Sequence, residues 1–409
     1  MTRLFKFEKL AIIYSIEYKI IMDKILFLGH SGLKGGAEYC LDIILRNIDL
    51  TRYEPGVIFG CDGPMIATPQ NRGIWYQTRS LNWWMLYQPS LWEWKNRLVS
   101  PYRIYKLVQQ IKRNDIKLVY TNTACIFEGA VAARIAGVPH IWHVHEVLNK
   151  QYMQPRYLPM NFIGKTINRL SDRVIFESEA SREIGSKWIP LEKSIAIPNS
   201  VRFTDTEGYE SGFCRMKFGI RPSEIVILWA GRFSDRKNPI ALIDALEKIK
   251  YTDGVRVLFV GDGPLKGSME KAIQERNMES WVQILPFQEN IRSVLACADI
   301  LTLTSVEESF GLVLVEAGAF RIPVVATKSQ GPNEIVIDGK TGFLVRQNDP
   351  DHLAQKLDRL VSDLPLRYRL GKANHRRVLE EYNPVTNTQK IQTEIDKLLA
   401  ARQPEQKTE

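Results

Sequence analysis

Short apolar runs rich in β-branched residues recur along the chain, and each stops where a glycine or a polar turn begins. In the first half they fall at 24–29 (KILFLG), 56–59, 116–122 (IKLVYTN), 140–144 (HIWHV) and 172–177 (DRVIFE). In the second half they fall at 225–230 (IVILWA), 255–260 (VRVLFV), 282–285, 300–304 (ILTLT) and 324–327. Most are continuous rather than alternating. Strands buried on both faces have that pattern, so parallel sheets are expected. Helical patterns lie between them, at 37–48, 239–249 and 312–320. A β-α-β-α order in both halves predicts an α/β fold of two doubly wound domains. The polar, aperiodic stretch 203–212 (FTDTEGYESG) suits a linker, which places the domains at 23–205 and 206–384.

Length agrees with this division: 409 residues fit two large domains at about 150 residues per domain. The 44% hydrophobic and 25% charged residues exclude wholesale disorder, a collagen-like chain and a bundle of membrane spans. Charge is uneven. Residues 1–200 hold 26 basic and 17 acidic side chains, net +9, whereas 201–409 hold 29 of each. A basic first half suits an anionic partner such as a membrane surface or a phosphorylated acceptor, or is simply a solvated face. No nucleic-acid recognition motif accompanies it, so no nucleic-acid partner is expected. Cys40, Cys61, Cys125, Cys214 and Cys297 are odd in number and scattered. Neither a disulfide framework nor a structural zinc site is expected, and reduced thiols imply the cytoplasm.

No apolar run reaches the roughly 18 residues of a membrane span. The start, 1–22, is an extension of two readings. Its apolar stretch at 10–16 is broken by Glu17 and lacks a cleavage site, which makes a poor signal peptide. Met22 directly precedes the first strand, so 1–21 is either a mis-set start or a short helix lying on a membrane or on the protein. The tail 402–409 is expected to be disordered. Segment 75–94 carries Trp75, Trp83, Trp84, Trp92 and Trp94 among Arg72, Arg79, Lys95 and Arg97. Such a mixture suits an acceptor-binding or membrane-facing surface, and equally a segment packed under the first domain.

Candidate chemistry gathers just past strand ends. In 305–319 (SVEESFGLVLVEAGA), Glu308 and Glu316 lie eight positions apart with Phe310 and Gly311 between. Gly311 reaches backbone angles closed to other residues, and the N–H groups of Gly311 and Leu312 become the unpaired donors of a helix N-terminus, a phosphate site. Glu308 precedes the helix and Glu316 lies about one and a half turns into it. Two carboxylates flanking a phosphate site suit the hydroxyls of a sugar and a ribose. Glu316 as a plain helix-face ion pair fits its apolar neighbours poorly. In 231–238 (GRFSDRKN), Arg232 and Lys237 offer two fixed cations for a diphosphate, with Asn238 and Pro239 read as an N-cap and first-turn proline. In 31–38, Gly35 and Gly36 open a helix where doubly wound folds bind ligands, although a plain turn has the same composition. His143 and His145 share one face at the end of a strand; no further ligand makes them a metal cluster. The loop 261–267 (GDGPLKG) has the wrong spacing for a dinucleotide site.

These segments together resemble the retaining glycosyltransferases of family 4, over roughly residues 23–400. The most specific part is the E-x7-E segment from Glu308 to Glu316, preceded by Ser305 and containing Phe310 and Gly311. Arg232 and Lys237 match the family's G-R-x-x-x-x-K element, Gly35 and Gly36 its first-domain glycine loop, and His145, six residues after Pro139, its active-site histidine. The segments 261–264 and 331–334 also look like family segments. The resemblance implies a GT-B fold, two Rossmann-like domains facing a central cleft, with helix 385–401 returning to the first domain. It implies transfer of a sugar from a nucleoside-diphosphate sugar, UDP- or GDP-linked, to a saccharide acceptor; the basic first half and the tryptophans suggest that this acceptor is lipid-linked at the membrane surface, in polysaccharide or glycoconjugate biosynthesis. A catalytically silent sugar-nucleotide-binding partner would share the fold. Arg232, Lys237 and the backbone of Phe310, Gly311 and Leu312 would hold the diphosphate, Glu316 the ribose, Glu308 and His145 the donor sugar. No metal and no other cofactor would be needed, and the protein would be cytoplasmic, attached peripherally to the inner face of the membrane. Two positions depart from the family pattern: Asn238 replaces a glycine after the lysine, and Phe320-Arg321 replace a small residue and a glycine before Ile322-Pro323.

Overall fold

The computed structural model describes residues 22–85, 91–149, 158–203, 208–209 and 211–402, without the side chains of 91–98. The extension 1–21, linker residues 204–207 and 210, the side chains of Trp92 and Trp94, and the tail beyond Arg402 lie outside the described residues.

The first sheet is built from β1 (Asp23–Gly29), β2 (Tyr53–Phe59), β3 (Trp75–Thr78), β4 (Leu118–Asn122), β5 (His140–Val144), β6 (Arg173–Phe176) and β7 (Ser194–Ala196). All neighbours are parallel, in the order β3-β2-β1-β4-β5-β6-β7. The second sheet holds β8 (Ile225–Ala230), β9 (Val255–Val260), β10 (Val282–Leu285), β11 (Ile300–Leu303), β12 (Val324–Thr327) and β13 (Gly342–Val345). It is also parallel, in the order β10-β9-β8-β11-β12-β13. Every residue of β4, β5, β11 and β12 is buried, which is why these strands read as unbroken apolar runs. The doubly wound α/β expectation holds for both sheets. Strands β3, β7 and β13 have no counterpart in the sequence reading, and each is a sheet edge.

Strand order reverses between β1 and β4, and again between β8 and β11. In open α/β sheets the loops at such a reversal diverge and leave a crevice at the carboxyl ends of the strands. The loops after β8 and β11 therefore emerge side by side, on neighbouring strands paired from Ile227 to Trp229 and from Ile300 to Thr302.

The last helix, Pro384–Ala400, follows the second sheet in the chain but packs on the first. Ile391 and Ile395 join the core formed by Ile25, Phe27, Leu41 and Tyr53. The Tyr53 hydroxyl donates to Asp396, the Asp49 N–H to Gln392 Oε1 at 2.8 Å, and Arg173 pairs with Glu394.

Both departures from the family pattern sit on left-handed backbone. Asn238 has φ 47° and Arg321 φ 61°. Asparagine tolerates that region better than most residues, which accounts for position 238. Asn238 is not the side-chain cap the sequence suggested: the helix begins at Ile240 with Pro239 at its N-cap position and no side-chain capping bond.

Candidate functional site

The loop after β11 alternates in direction. Glu308 turns back into the second domain, while the residues on either side of it reach the first. Lys237, on the loop after β8, pairs with Glu308 Oε2, and the Ser305 hydroxyl donates to the same oxygen at 3.0 Å. Among the described residues Oε1 has no hydrogen-bond donor and is left for a ligand. Burial alone would push the Glu308 carboxyl up, but Lys237, Arg236 and Ser305 together hold it below its usual range. Lys237 has three ammonium donors and Glu308 engages one side of the group, so donors remain for phosphate oxygens. Arg232, at the start of the same loop, is exposed and has no ion-pair partner among the described residues.

Thr304 ties the two loops together. Its hydroxyl accepts from Trp229 Nε1 at 2.8 Å and lies 2.7 Å from the Asn238 carbonyl. The Val306 N–H donates to the Arg236 carbonyl at 2.9 Å. Gly311, with φ 98°, ends the loop and caps the helix Leu312–Ala319. Among the described residues no side chain caps this N-terminus, so its first N–H groups stay available. Leu314 and Val315 are fully buried and anchor the helix, each contributing about 1.5–3 kcal/mol. The Phe310 side chain is also core, edge-on to Tyr382 at 5.8 Å, so only its backbone is at the site. Gly331 comes so close that a Cβ there would lie 2.0 Å from the Phe310 carbonyl oxygen.

His145 begins the loop after β5. Its Nε2 lies 3.0 Å from Asn122 Oδ1 and its Nδ1 3.3 Å from Glu177 Oε2. The side chain is thus held from both ring nitrogens by residues at the ends of β4 and β6. Burial pushes the Glu177 carboxyl up in spite of His145. His143 is a core residue, bonded to the Tyr120 hydroxyl at 2.7 Å, and burial holds its imidazole well below the usual range. Among the described residues no three His, Cys, Asp or Glu side chains cluster in a way that would hold a metal ion.

The two domains meet at these loops. The Ser309 hydroxyl donates to the His145 carbonyl at 3.0 Å, and the Ser309 carbonyl accepts from the Ser178 hydroxyl at 2.8 Å. Asn149 donates to the buried Glu307. Glu334 of the second domain accepts from the N–H groups of Glu179 (3.0 Å) and Ala180 (2.6 Å), the start of a first-domain helix. Gly35 and Gly36 open the helix Gly36–Asn47 on the facing side, where Lys34 pairs with Glu289 at 3.0 Å. Glu316 lies near Cys40 of that helix: burial raises the thiol, and Glu177, Glu38 and Glu316 raise it further.

Of the residues singled out from sequence, Lys237 and Glu308 are in direct contact, Arg232 shares the Lys237 loop, and His145 is joined to Glu308 through Ser309. Gly35, Gly36 and Glu316 line the same interface from opposite sides. The motifs gave no sign of Glu177, Ser178, Ser309 or Asn122. Their one sequence signal is position, directly past the carboxyl end of a strand or beside an assigned acid. The tryptophans do not form one surface. Trp84 is buried, stacked on Trp142 at 5.9 Å with its Nε1 donating to the Ala124 carbonyl at 2.6 Å, whereas Trp75 is exposed on edge strand β3.

Comparison with known proteins agrees with the fold. A family profile described as Glycosyltransferase Family 4 matches residues 35–204, and one described as Glycosyl transferases group 1 matches 213–377. The N-acetyl-alpha-D-glucosaminyl L-malate synthase of Bacillus anthracis is 30% identical over 41% of this chain, an alignment that spans 44% of that relative's length. The chain thus spans less than half of that protein. The UDP-Gal:alpha-D-GlcNAc-diphosphoundecaprenol alpha-1,3-galactosyltransferase of Escherichia coli is 26% identical, with 70% of this chain and 76% of the relative aligned. Anabaena HepE, solved in complex with UDP and glucose, superposes with a TM-score of 0.78 and 26% identity over 91% of this chain and 99% of that one. Two parallel Rossmann-like sheets, the structural likeness and both matching profiles establish that the chain belongs to the glycosyltransferases of the family 4 type with the GT-B fold.

Proposed function

We propose that the protein transfers a sugar, with retention of anomeric configuration and without a metal ion, from a nucleoside-diphosphate sugar to a saccharide acceptor. The observation that carries this reading is the pairing of Lys237 with Glu308 beside the uncapped helix start at Gly311, on loops from neighbouring strands. As the glycosidic bond to the diphosphate breaks, negative charge builds on the leaving oxygens. Lys237, Arg232 and the Gly311 and Leu312 N–H groups are fixed around that charge before it forms, the arrangement by which one lost donor costs about 10²–10³ in rate. Glu308 Oε1 takes a donor-sugar hydroxyl, Glu316 the ribose, and His145 faces the sugar from the first domain. These fixed cations take the place a divalent ion would fill.

The acceptor in this reading is lipid-linked and presented at a membrane surface. The E. coli relative, whose name states a diphosphoundecaprenol-linked acceptor, supports it. So do exposed Tyr102, Tyr105 and Phe162 on first-domain helices that also expose Lys106, Lys165 and Arg169. Among the described residues no helix is long and apolar enough to cross a membrane, so attachment would be peripheral. Part of the protein should leave membranes in a high-salt wash; association indifferent to salt would remove the membrane clause.

The reading is tested by offering the protein a panel of nucleotide sugars in EDTA and following thermal stability and release of nucleoside diphosphate. One donor that stabilises the chain and is slowly cleaved supports it, and NMR of the transferred anomer then checks retention. A donor held without turnover, even with acceptors supplied, makes the chain a silent sugar-nucleotide-binding partner. No donor binding at all rejects the reading.

A further inference from the structure

A half-buried cation in the first domain is not used by the donor site. Arg79 directly follows β3, and its backbone N–H donates to the Phe59 carbonyl at the end of β2 at 2.9 Å. Its Nε and Nη2 atoms are both buried, and among the described residues neither has a hydrogen-bond partner. These two nitrogens form one edge of the guanidinium plane, the fork that grips two oxygens of a single anionic group at once. The nearby acid does not serve it. Glu128 is fully buried, and it accepts from Arg103 Nε at 2.8 Å, from the Ser100 hydroxyl and from the Asn82 N–H at 3.4 Å. Two arginines thus stand near one carboxylate, and Arg103 is the one that holds it. Burial lowers the affinity of the Arg79 guanidinium for its proton, and Arg103 adds to this; Glu128 opposes but does not cancel it. A buried guanidinium edge without an acceptor is costly, and a bound anion is the group that would relieve it.

The surroundings suit a saccharide. Four residues after Arg79, Trp83 stands edge-on to His30 at 4.9 Å, and His30 directly follows β1. His30 Nε2 is held by Glu38 at 2.9 Å, while its buried Nδ1 has no partner among the described residues. Gly29, Phe59 and Thr78 are in register across the adjacent strands β1, β2 and β3, so His30 and Arg79 emerge at the same carboxyl edge of the first sheet.

We propose that Arg79, with His30 and Trp83, forms an acceptor subsite for a saccharide that carries an anionic oxygen pair, a phosphate or a carboxylate. This rests on the glycosyltransferase reading above and gives the acceptor its chemistry: Arg79 grips the charged group side-on, and Trp83 offers an apolar edge to the sugar.

The test uses the full chain saturated with UDP, so that the donor phosphate site is filled. Glucose 1-phosphate, glucuronate and glucose are then titrated calorimetrically. Binding of glucose 1-phosphate or glucuronate, with glucose silent, is expected, and the tighter of the two anions identifies the group. Arg79→Gln should weaken that binding about 10- to 100-fold, the loss expected for a charge-assisted fork, and leave UDP affinity unchanged. Arg79→Lys, which keeps the charge but not the fork, should fall between and serves if the glutamine variant does not fold. Equal affinity in wild type and either folded variant overturns the proposal, as does failure of both anions to bind the UDP complex. Failure of UDP to bind is a different result and counts against the glycosyltransferase reading instead.

Discussion

The Ser309 hydroxyl donates to the His145 carbonyl at 3.0 Å, which fastens the residue after Glu308 to the backbone of the candidate histidine in the opposite domain. The Ser309 carbonyl accepts from the Ser178 and Ser181 hydroxyls as well, so one short residue joins both loops in both directions. Ser309→Ala removes the side-chain bond and leaves the backbone ones. Loss of one such bond predicts a fall in kcat of about fivefold to tenfold, with UDP affinity unchanged. A kcat equal to wild type would show that the His145 loop is placed without it.

Lys237 has a structural and a chemical consequence when removed. Its partner Glu308 is almost fully buried, so Lys237→Ala strands a carboxylate and should destabilise the fold by about 3 kcal/mol. Lys237→Ala with Glu308→Gln should recover much of that stability, because no buried charge is left unpaired, yet transfer should stay abolished. Urea unfolding and nucleotide release read the two effects separately. Transfer at wild-type rate in Lys237→Ala would refute the role given to this lysine.

Two buried acids should respond to pH with opposite sign. The Glu308 carboxyl is held below its usual range, so its ionised form stabilises the fold above pH about 4.5, and that contribution fades as pH falls through the lowered folded value. Glu177 is pushed up by burial, so its contribution is complete below pH about 4.5 and fades as pH rises through the raised folded value. Stability curves against pH should therefore diverge. The penalty of Glu308→Gln shrinks on acidification, whereas Glu177→Gln gains on wild type as pH rises toward neutrality. Parallel curves for the two variants would contradict this assignment.

Gly331 is a steric requirement. An added methyl would meet the Phe310 carbonyl oxygen at 2.0 Å, backbone against backbone, with no flexible end to move aside. Gly331→Ala should displace the loop that carries Glu308 and cost about 1–3 kcal/mol, with loss of donor affinity. Unchanged thermal stability and donor binding would show that the helix beginning at Gln330 shifts freely.

The left-handed backbone at Asn238 makes another prediction. Asn238→Gly should leave thermal stability nearly unchanged, while Asn238→Val should lower it by about 1 kcal/mol or more, because a β-branched side chain is disfavoured at φ 47°. Equal melting temperatures for the two variants would mean that the loop turns another way.

The sequence reading was strongest in the middle of each sheet and weakest at its margins. β5, β8 and β9 stand out as apolar runs because both of their faces are covered. β3 (WYQT) alternates between exposed and half-buried residues at one edge, β7 is three residues long at the other, and β13 contains a glycine at the margin of the second sheet. β3 lacks the two-faced burial that makes a continuous run, β7 is too short to show one, and in β13, although mostly buried, the run is only four residues long and opens on the glycine. The donor loops were legible for a related reason. Lys237 and Glu308 sit just past strands whose ends can be read, and a reversal of strand order brings the two loops together. The contacts of Ser309 with His145, of Asn149 with Glu307, and of Glu334 with the helix at Glu179 depend on how one domain meets the other, and no local pattern encodes that. The tryptophan segment misled for the opposite reason. Trp83, Trp84 and Trp75 are close in sequence, but the backbone sends them to the side of His30, to a core and to a sheet edge.

The return of the helix Pro384–Ala400 to the first sheet has a consequence for how the chain is made. The last strand of that sheet ends at Ala196, yet its core also contains Ile391 and Ile395. Roughly 200 residues must follow Ala196 before the seam can close, which at about 5–20 residues per second is about 10–40 s of synthesis. Throughout that interval the emerging first domain exposes an apolar groove, so this half of the molecule waits on its own tail and completes its core only once that tail has left the ribosome.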